Sequence, residues 1–436
     1  MSKPRLNPHT VINACNTLSE SIGSDHVDAL LALGLQEKKA AAYIAEAKEM
    51  LSKDYLLRKI QVELGEQYLT SQTPHTPQLF PPNQVYPLGV LFHIAAGNMD
   101  GLPFYSVIEG LLVGNVNILK LPQQESGLSV MLFQELFRYA PELAEYVYVF
   151  DLASSDTHEL QRLADLSDGI VVWGGDGAVA AARKMAKPNT KIVEWGHKLS
   201  FAYATREGMC DDAALNGLAA HIVQTDQLLC SSCQGIYLDT DSMDTVYEFC
   251  ERFLPILHER GAQPYTQTQS YAQAQTRPYA QPQAHMQPQP YTQKAQNPGV
   301  RDISLEAQLA LHLRNAQLES IYDGSRLYKT DSCSIMACQD KTLSLSFMFR
   351  NCWAKRLLRA EIVPVLKPYK GYLQTVGLLC APAEREELAD LFYRAGLVRV
   401  TSAEKMSATL PAEAHDGEYP LRRYSKVVSY LLYNEG

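Results

Sequence analysis

The sequence predicts an α/β protein built on parallel sheets, and three observations carry that prediction. From Tyr86 onward, short and continuously apolar runs alternate with helical patterns, as strands buried on both faces by crossover helices do. Residues with chemical potential fall at or just after the ends of those runs, where ligands of such sheets bind. The chain has 436 residues, enough for two domains of ordinary size.

In chain order, residues 11–70 read as helices. V-I-N-A-C-N-T-L and V-D-A-L-L-A-L-G-L place apolar residues three and four apart, and A-A-A-Y-I-A-E-A-K-E-M-L is rich in helix formers. A Pro-rich turn from Pro74 to Pro82 closes this segment. There follow a strand at 89–94 (G-V-L-F-H-I), a helix at 102–113, a strand at 116–121 and a helix at 128–139. Strands at 146–150, 169–173 and 191–195, with helical connections, complete the first sheet. A second α/β unit is expected from about 201 to 395. It has a helix (D-A-A-L-N-G-L-A-A-H-I-V) feeding a loop at Cys230, a strand at G-I-Y-L-D, strands near 361–366 and 373–379, and a helix at 384–395.

The expected organisation is therefore an N-terminal helical segment (1–85), a first domain (86–200), a second domain (201–395) and a C-terminal segment (396–436). The second domain is interrupted by Q-P-Y-T-Q…K-A-Q-N-P (263–298). That stretch holds eleven Gln and four Tyr, repeats P-Y-[TA]-Q at 264, 278 and 290, and lacks Leu, Ile, Val and Phe. It has too little apolar surface to offset its ordering entropy, so a disordered surface insertion is expected. A tether with tyrosines as adhesive is the functional alternative.

At 46% hydrophobic and 20% charged, the composition is that of a globular domain. A formal charge of −9 argues against nucleic acid or an anionic membrane as main partner. No apolar run approaches the ~18–20 residues that span a bilayer. The start M-S-K-P-R-L-N-P-H-T is basic but has no apolar core, so no signal peptide is read there. Nine cysteines, an odd number without a framework, fit a reducing compartment, and the cytoplasm is the default.

Five short segments, in order, hold the chemistry: H-I-A-A-G-N (93–98), G-N-V-N-I-L-K-L-P (114–122), V-V-W-G-G-D-G (171–177), V-E-W-G-H-K (193–198) and T-D-Q-L-L-C-S-S-C-Q (225–234). Together they supply a side-chain amide, a lysine, a Gly-rich turn, a carboxylate and a thiol. These are the parts of an enzyme that forms a thioester or thiohemiacetal on cysteine and exchanges a hydride with a nicotinamide. Cys230 is the candidate nucleophile, since thiolate both attacks and leaves well. A zinc or redox C-x-x-C pair with Cys233 is the alternative, but no second half stands at a usual spacing. Asn98 follows a strand and can aim an N–H at a developing oxyanion, with the Cys230 backbone N–H as second donor. Gly-Asn is also an ordinary turn pair. Lys120 ends an apolar strand, where a cation is costly unless it meets water or a ligand. The histidines show no metal-ligand spacing, and no metal is expected.

This order of segments resembles the aldehyde dehydrogenase superfamily, over roughly 86–240. Within it, D-Q-L-L-C-S-S-C-Q, W-G-H-K-L-S (195–200), L-Q-T-V-G-L (373–378) and H-D-G-E-Y-P-L (415–421) resemble the LuxC-type acyl-CoA reductases. The resemblance implies an aldehyde dehydrogenase-like fold with two Rossmann-like parallel-sheet domains. It implies that Lys120 holds the ribose or phosphate of the cofactor and that Trp173, Gly174 and Gly175 form the turn at its pyrophosphate. Asp176 is the N-cap of the following helix in this reading. Where many NAD-preferring relatives place a ribose-binding glutamate stands Gln123, which does not repel a 2′-phosphate; NADPH is favoured and NADH left open. Glu194, 36 residues before Cys230, matches the superfamily's general base, and Glu361 its second glutamate near the nicotinamide ribose. His415 belongs to a C-terminal H-D-G that faces the site or simply turns the chain.

The reaction implied is reduction of a long-chain acyl-CoA or acyl-protein thioester to the aldehyde through an acyl-Cys230 intermediate. Rivals are an oxidising aldehyde dehydrogenase, to which Glu194 points, an acyltransferase or hydrolase without hydride chemistry, and a non-catalytic scaffold retaining the fold. The resemblance also implies a homo-oligomer and a fatty acid reductase complex with an acyl-protein synthetase and a thioesterase.

Overall fold

The computed structural model describes residues 6–32, 37–70, 83–95, 101–123, 127–261, 303–408 and 412–429. Asn98, the Pro74–Pro82 turn and the 263–298 insertion lie outside the described residues. The chain closes into two compact units, Met1–Gly196 with Thr409–Gly436, and His197–Ala408. The stretch after 396 is thus divided between the two units.

After its N-terminal helices, the first unit runs through strands β1 (Asn83–Pro87), β2 (Val90–Ile94), β3 (Val116–Lys120), β4 (Val147–Phe150), β5 (Gly169–Trp173) and β6 (Lys191–Trp195). Strands β2 to β6 form one parallel sheet in the order β4-β3-β2-β5-β6. Side chains alternate across it with period two. Leu91, Leu119, Val171 and Val193 pack with helices Pro8–Ser21, Leu102–Val113 and Leu128–Tyr139. Phe92, Ile118, Ile170 and Val172 pack with helices Thr157–Asp165 and Asp176–Met185. The apolar runs read as doubly buried strands because each side of the sheet has its own core.

The chain returns to this unit at its far end, where Ser425–Ser429 pairs antiparallel with β1, Tyr86 opposite Lys426. A buried polar clasp secures the return. Glu63, 1% exposed, accepts the Leu421 N–H at 2.7 Å and meets Lys59 Nζ at 2.7 Å, while Lys59 also reaches Glu109 at 3.0 Å.

The second unit adds β7 (Leu199–Ala204), β8 (Cys233–Leu238), β9 (Arg326–Lys329), β10 (Ser334–Ala337), β11 (Asn351–Arg356), β12 (Leu373–Leu379) and β13 (Arg399–Ser402). They form one sheet in the order β13-β12-β7-β8-β11-β10-β9, parallel except for the edge strand β9. Helices Asp212–Thr225 and Met243–Gly261 cover one face, and Ile362–Leu366 with Arg385–Ala395 the other.

One expected strand is corrected here: Ile362–Leu366 is a helical turn. Its β-branched residues suggested a strand, but Glu361 accepts the Leu358 N–H at 3.1 Å and starts a turn. Pro364 then falls within the first turn, where a missing N–H costs nothing. No helix among the described residues is long and apolar enough to cross a membrane. Among those residues no group of three or more His, Cys, Asp or Glu could hold a metal ion.

Candidate active site

The nucleophile candidate sits on a loop whose conformation the surrounding sequence enforces. Helix Asp212–Thr225 ends where Asp226 and Gln227 turn left-handed, with φ of 46° and 62°. Left-handed non-glycine residues cost about 1–2 kcal/mol each, so such a bend persists only where its neighbours compel it. Here the Asp226 carbonyl accepts the Phe349 N–H at 3.0 Å. Phe349 is itself in a left-handed run of three, Met348, Phe349 and Arg350.

The two glutamines of the D-Q-L-L-C-S-S-C-Q segment then lock the loop from inside. Gln227, fully buried, donates from Nε2 to the Cys233 carbonyl at 2.9 Å. Gln234 Nε2 donates to the Gln227 carbonyl at 3.0 Å, and its Oε1 accepts from Ser346 Oγ at 2.8 Å. Between them Ser232 Oγ accepts the Leu229 N–H at 3.0 Å, and Ser231 and Ser407 share a hydroxyl bond of 2.8 Å.

Cys230 emerges half-buried from this frame. Its carbonyl accepts from Ser200 Oγ at 2.7 Å, and the same Oγ accepts the Thr375 N–H at 3.0 Å. Its Sγ accepts from Gln374 Nε2 at 3.2 Å. Cys233 is a different kind of residue. It is fully buried at the start of β8, its Sγ donates to the Gly235 carbonyl at 3.2 Å, and burial pushes its thiol up to about 12. A thiol so buried and so weakly acidic is inert, and only Cys230 of the pair has access to solvent.

Four other candidates gather at the carboxyl ends of the first unit's strands. Lys120 ends β3, is 3% exposed, and bonds Ser154 Oγ at 3.1 Å. Burial pulls its ammonium below the usual lysine range, with Asp151 opposing that effect. Trp173 ends β5 and donates from Nε1 to Ser106 Oγ at 3.0 Å. Gly174 has φ of +154°, and a Cβ there would lie 3.1 Å from Ala178 Cβ, so the turn needs glycine. Gly175 caps helix Asp176–Met185 without a side-chain bond, and a Cβ on it would meet open space. Asp176 lies in that helix's first turn. This is a turn whose backbone a phosphate can approach closely.

Glu194 lies on β6 one residue before its end, on the face of Ile192. Its carboxylate is held in a bidentate ion pair by Arg183, with Nη2 to Oε2 at 2.7 Å. His415 packs tilted against Trp173 and edge-on against Trp195, with ring centroids 5.2 and 5.0 Å away. Gln123 is exposed just beyond β3.

Glu361 is placed elsewhere than the sequence suggested. It follows β11 at its carboxyl end, whereas Cys230 precedes β8 at its amino end. Since β8 and β11 are neighbouring parallel strands, the two residues are separated by the length of the sheet. Glu361 pairs with Lys341, whose hydrogen bond holds the carboxyl below its ordinary range. The charge on Glu361 serves a local turn.

Sequence reasoning gave no role to Ser200, Gln374, Ser154 or Arg183. The first two stand in W-G-H-K-L-S and L-Q-T-V-G-L, and their signal was a polar residue inside an apolar strand. Ser154 and Arg183 left no local signal.

The acyl-CoA reductase (LuxC) family model matches residues 5–427. A long-chain acyl-protein thioester reductase of Vibrio harveyi is 27% identical over 198 residues, 45% of this chain and 41% of that protein. The match thus spans about two fifths of the relative's length. Among solved structures, the bifunctional proline utilization A (PutA) protein is similar with a TM-score of 0.68 at 13% identity, over 97% of this chain and 42% of that one. Aldehyde dehydrogenase 21 from Physcomitrella patens is similar with a TM-score of 0.65 at 11% identity, over 99% and 86% of the two chains. Identities this low speak to the fold alone, and the fold is aldehyde dehydrogenase-like. With the family model spanning nearly all of its length, the chain belongs to the acyl-CoA reductase (LuxC) family.

Proposed function

We propose that the protein reduces an acyl thioester, carried by coenzyme A or by a protein, to the aldehyde, with Cys230 as the acyl acceptor and NADPH as reductant. The observation that carries this reading is the setting of Cys230, a half-buried thiol whose sulfur accepts an amide N–H and whose carbonyl is clamped by Ser200. In the first step the Cys230 thiolate adds to the thioester carbonyl. The new C–S bond forms as the carrier's C–S bond breaks, and the carrier leaves as a thiolate that takes a proton from solvent. Asn98 and the Cys230 backbone N–H are assigned to the oxyanion in this reading.

A nicotinamide cofactor supplies the hydride that the second step needs. Its fit to the chain rests on the open Gly174–Gly175 turn after β5 and on Lys120, a buried ammonium two strands away at the same carboxyl end of the sheet. Gln123, exposed and neutral, leaves room for a 2′-phosphate. Glu194 bears on direction. Both oxygens of this carboxylate accept from Arg183, so it is already engaged and not free to receive a proton from water, which favours reduction of the acyl group over hydrolysis. A homo-oligomer and a complex with enzymes that load and release the acyl group belong to the same reading.

The test follows NADPH absorbance with purified protein and a chain-length series of acyl-CoAs, alongside an acylated carrier protein. Aldehyde formed in step with NADPH loss, and abolished in Cys230→Ala, is expected. Acyl release without NADPH loss would make the protein a hydrolase or transferase. No turnover with any thioester would leave the scaffold reading.

A further inference from the structure

We propose that Gln374 tunes the nucleophile: its side-chain amide donates to the Cys230 sulfur, stabilises the thiolate and holds it in one rotamer. This deepens the reading of Cys230 as acyl acceptor and rests on it.

Gln374 is the second residue of β12, a strand buried along its whole length, and is itself 6% exposed. A carboxamide in such a place is costly unless bonded, and one of its bonds goes to Cys230 Sγ at 3.2 Å. The sheet is irregular where this happens. The β12–β7 register shifts between Leu373 and Val376, and the β7–β8 register between Ser200 and Ala202. Such irregularities re-aim side chains. In the gap Ser200 Oγ replaces the missing ladder, taking the Thr375 N–H and giving its proton to the Cys230 carbonyl. Cys230 is therefore held at both ends, its carbonyl from β7 and its sulfur from β12.

An N–H aimed at sulfur favours the charged form of the thiol. A carboxamide has no titration of its own in the working range, so it gives this help at every pH. It cannot take the thiol proton, which leaves to solvent. Gln374 touches the reacting atom without acting as a base.

The test uses the full chain without acyl substrate. Alkylation of Cys230 by iodoacetamide is timed across pH, with the Cys230 peptide quantified by mass spectrometry, and melting curves confirm folding. Gln374→Met keeps the length and removes the donor; Gln374→Glu replaces the donor with a charge that repels a thiolate. The alkylation midpoint should rise by about one pH unit in Gln374→Met, roughly a tenfold loss of thiolate at neutral pH, and further in Gln374→Glu. Should Gln374→Met not fold, Gln374→Asn, which withdraws the amide by one methylene, gives the same comparison. An unchanged midpoint overturns the proposal, even if the melting temperature falls, because a purely structural glutamine would behave so. Absence of an acyl group on wild-type Cys230 is a separate result and would instead overturn the proposed function.

Discussion

Replacing Ser200 with alanine should loosen the nucleophile loop and destabilise the second unit together. Ser200 is fully buried, and its single hydroxyl serves two backbone groups, the Thr375 N–H at 3.0 Å and the Cys230 carbonyl at 2.7 Å. Each bond contributes about 1 kcal/mol net, and a buried group left without its partner costs ~1–3 kcal/mol. Thr375 is 1% exposed, so water does not easily replace the lost acceptor. The sum is a loss of about 2–4 kcal/mol. For a domain the size of His197–Ala408, each kcal/mol lowers the melting temperature by roughly 2–4 °C, giving a fall of roughly 4–16 °C. The freed Cys230 carbonyl lets the sulfur wander, and Cys230 acylation should slow by about tenfold or more, since small misplacements of a reacting atom are expensive. Differential scanning calorimetry and timed acylation on the same preparation measure both. Ser231→Ala is the control: that hydroxyl bonds Ser407 at 2.8 Å in a half-buried place, and its loss should cost less than about 1 kcal/mol. If Ser200→Ala melts and acylates like the wild type, the clamp described here does not hold the loop.

Glu194→Gln should leave thioester reduction within about threefold of wild type, because its carboxylate serves Arg183; a loss of 100-fold or more in the NADPH assay would restore it as general base. Gln123→Glu should move cofactor preference toward NADH by placing a carboxylate where the 2′-phosphate would lie, and equal NADH and NADPH kinetics in both proteins would refute that placement. Acid should destabilise the fold through His93 and His221, which burial holds neutral with pKa values lowered from 6.5 to about 4. The unfolded chain binds those protons first, so stability falls as pH drops below about 6.5. Each histidine should cost on the order of 3 kcal/mol by pH 4. A urea midpoint that does not move between pH 7 and pH 5 would contradict this.

The first unit was legible because its strands are local, apolar and joined by helices with clear periodicity. Leu102–Val113, Leu128–Tyr139, Gly169–Trp173 and Lys191–Trp195 stand where the pattern placed them. The pairing of Ser425–Ser429 with β1 joins segments more than 300 residues apart, and no local pattern announces such a contact. In the second unit β9, β10 and β13 are four-residue strands with polar members, too short to show a period. The candidate site was legible in its reactive atoms and not in their supports. A thiol, a lysine and a Gly-Gly turn announce chemistry by residue type. Ser200 and Gln374 matter because two register shifts bring them to Cys230, and a register shift is not written in any short stretch of sequence. The rule that ligands gather at carboxyl ends suits Lys120 and Gly174, but Cys230 lies at the amino end of its strand.

If an acyl group passes through Cys230, intact-protein mass spectrometry should catch it there. The wild type incubated with an acyl-CoA and no reductant should gain one acyl mass, located on the Cys230 peptide and removed by hydroxylamine. NADPH should discharge it as aldehyde, Cys233→Ala should still acquire it, and Cys230→Ala should not. An acyl group on any other residue, or reduction of acyl-CoA by Cys230→Ala, would exclude Cys230 as the acyl acceptor.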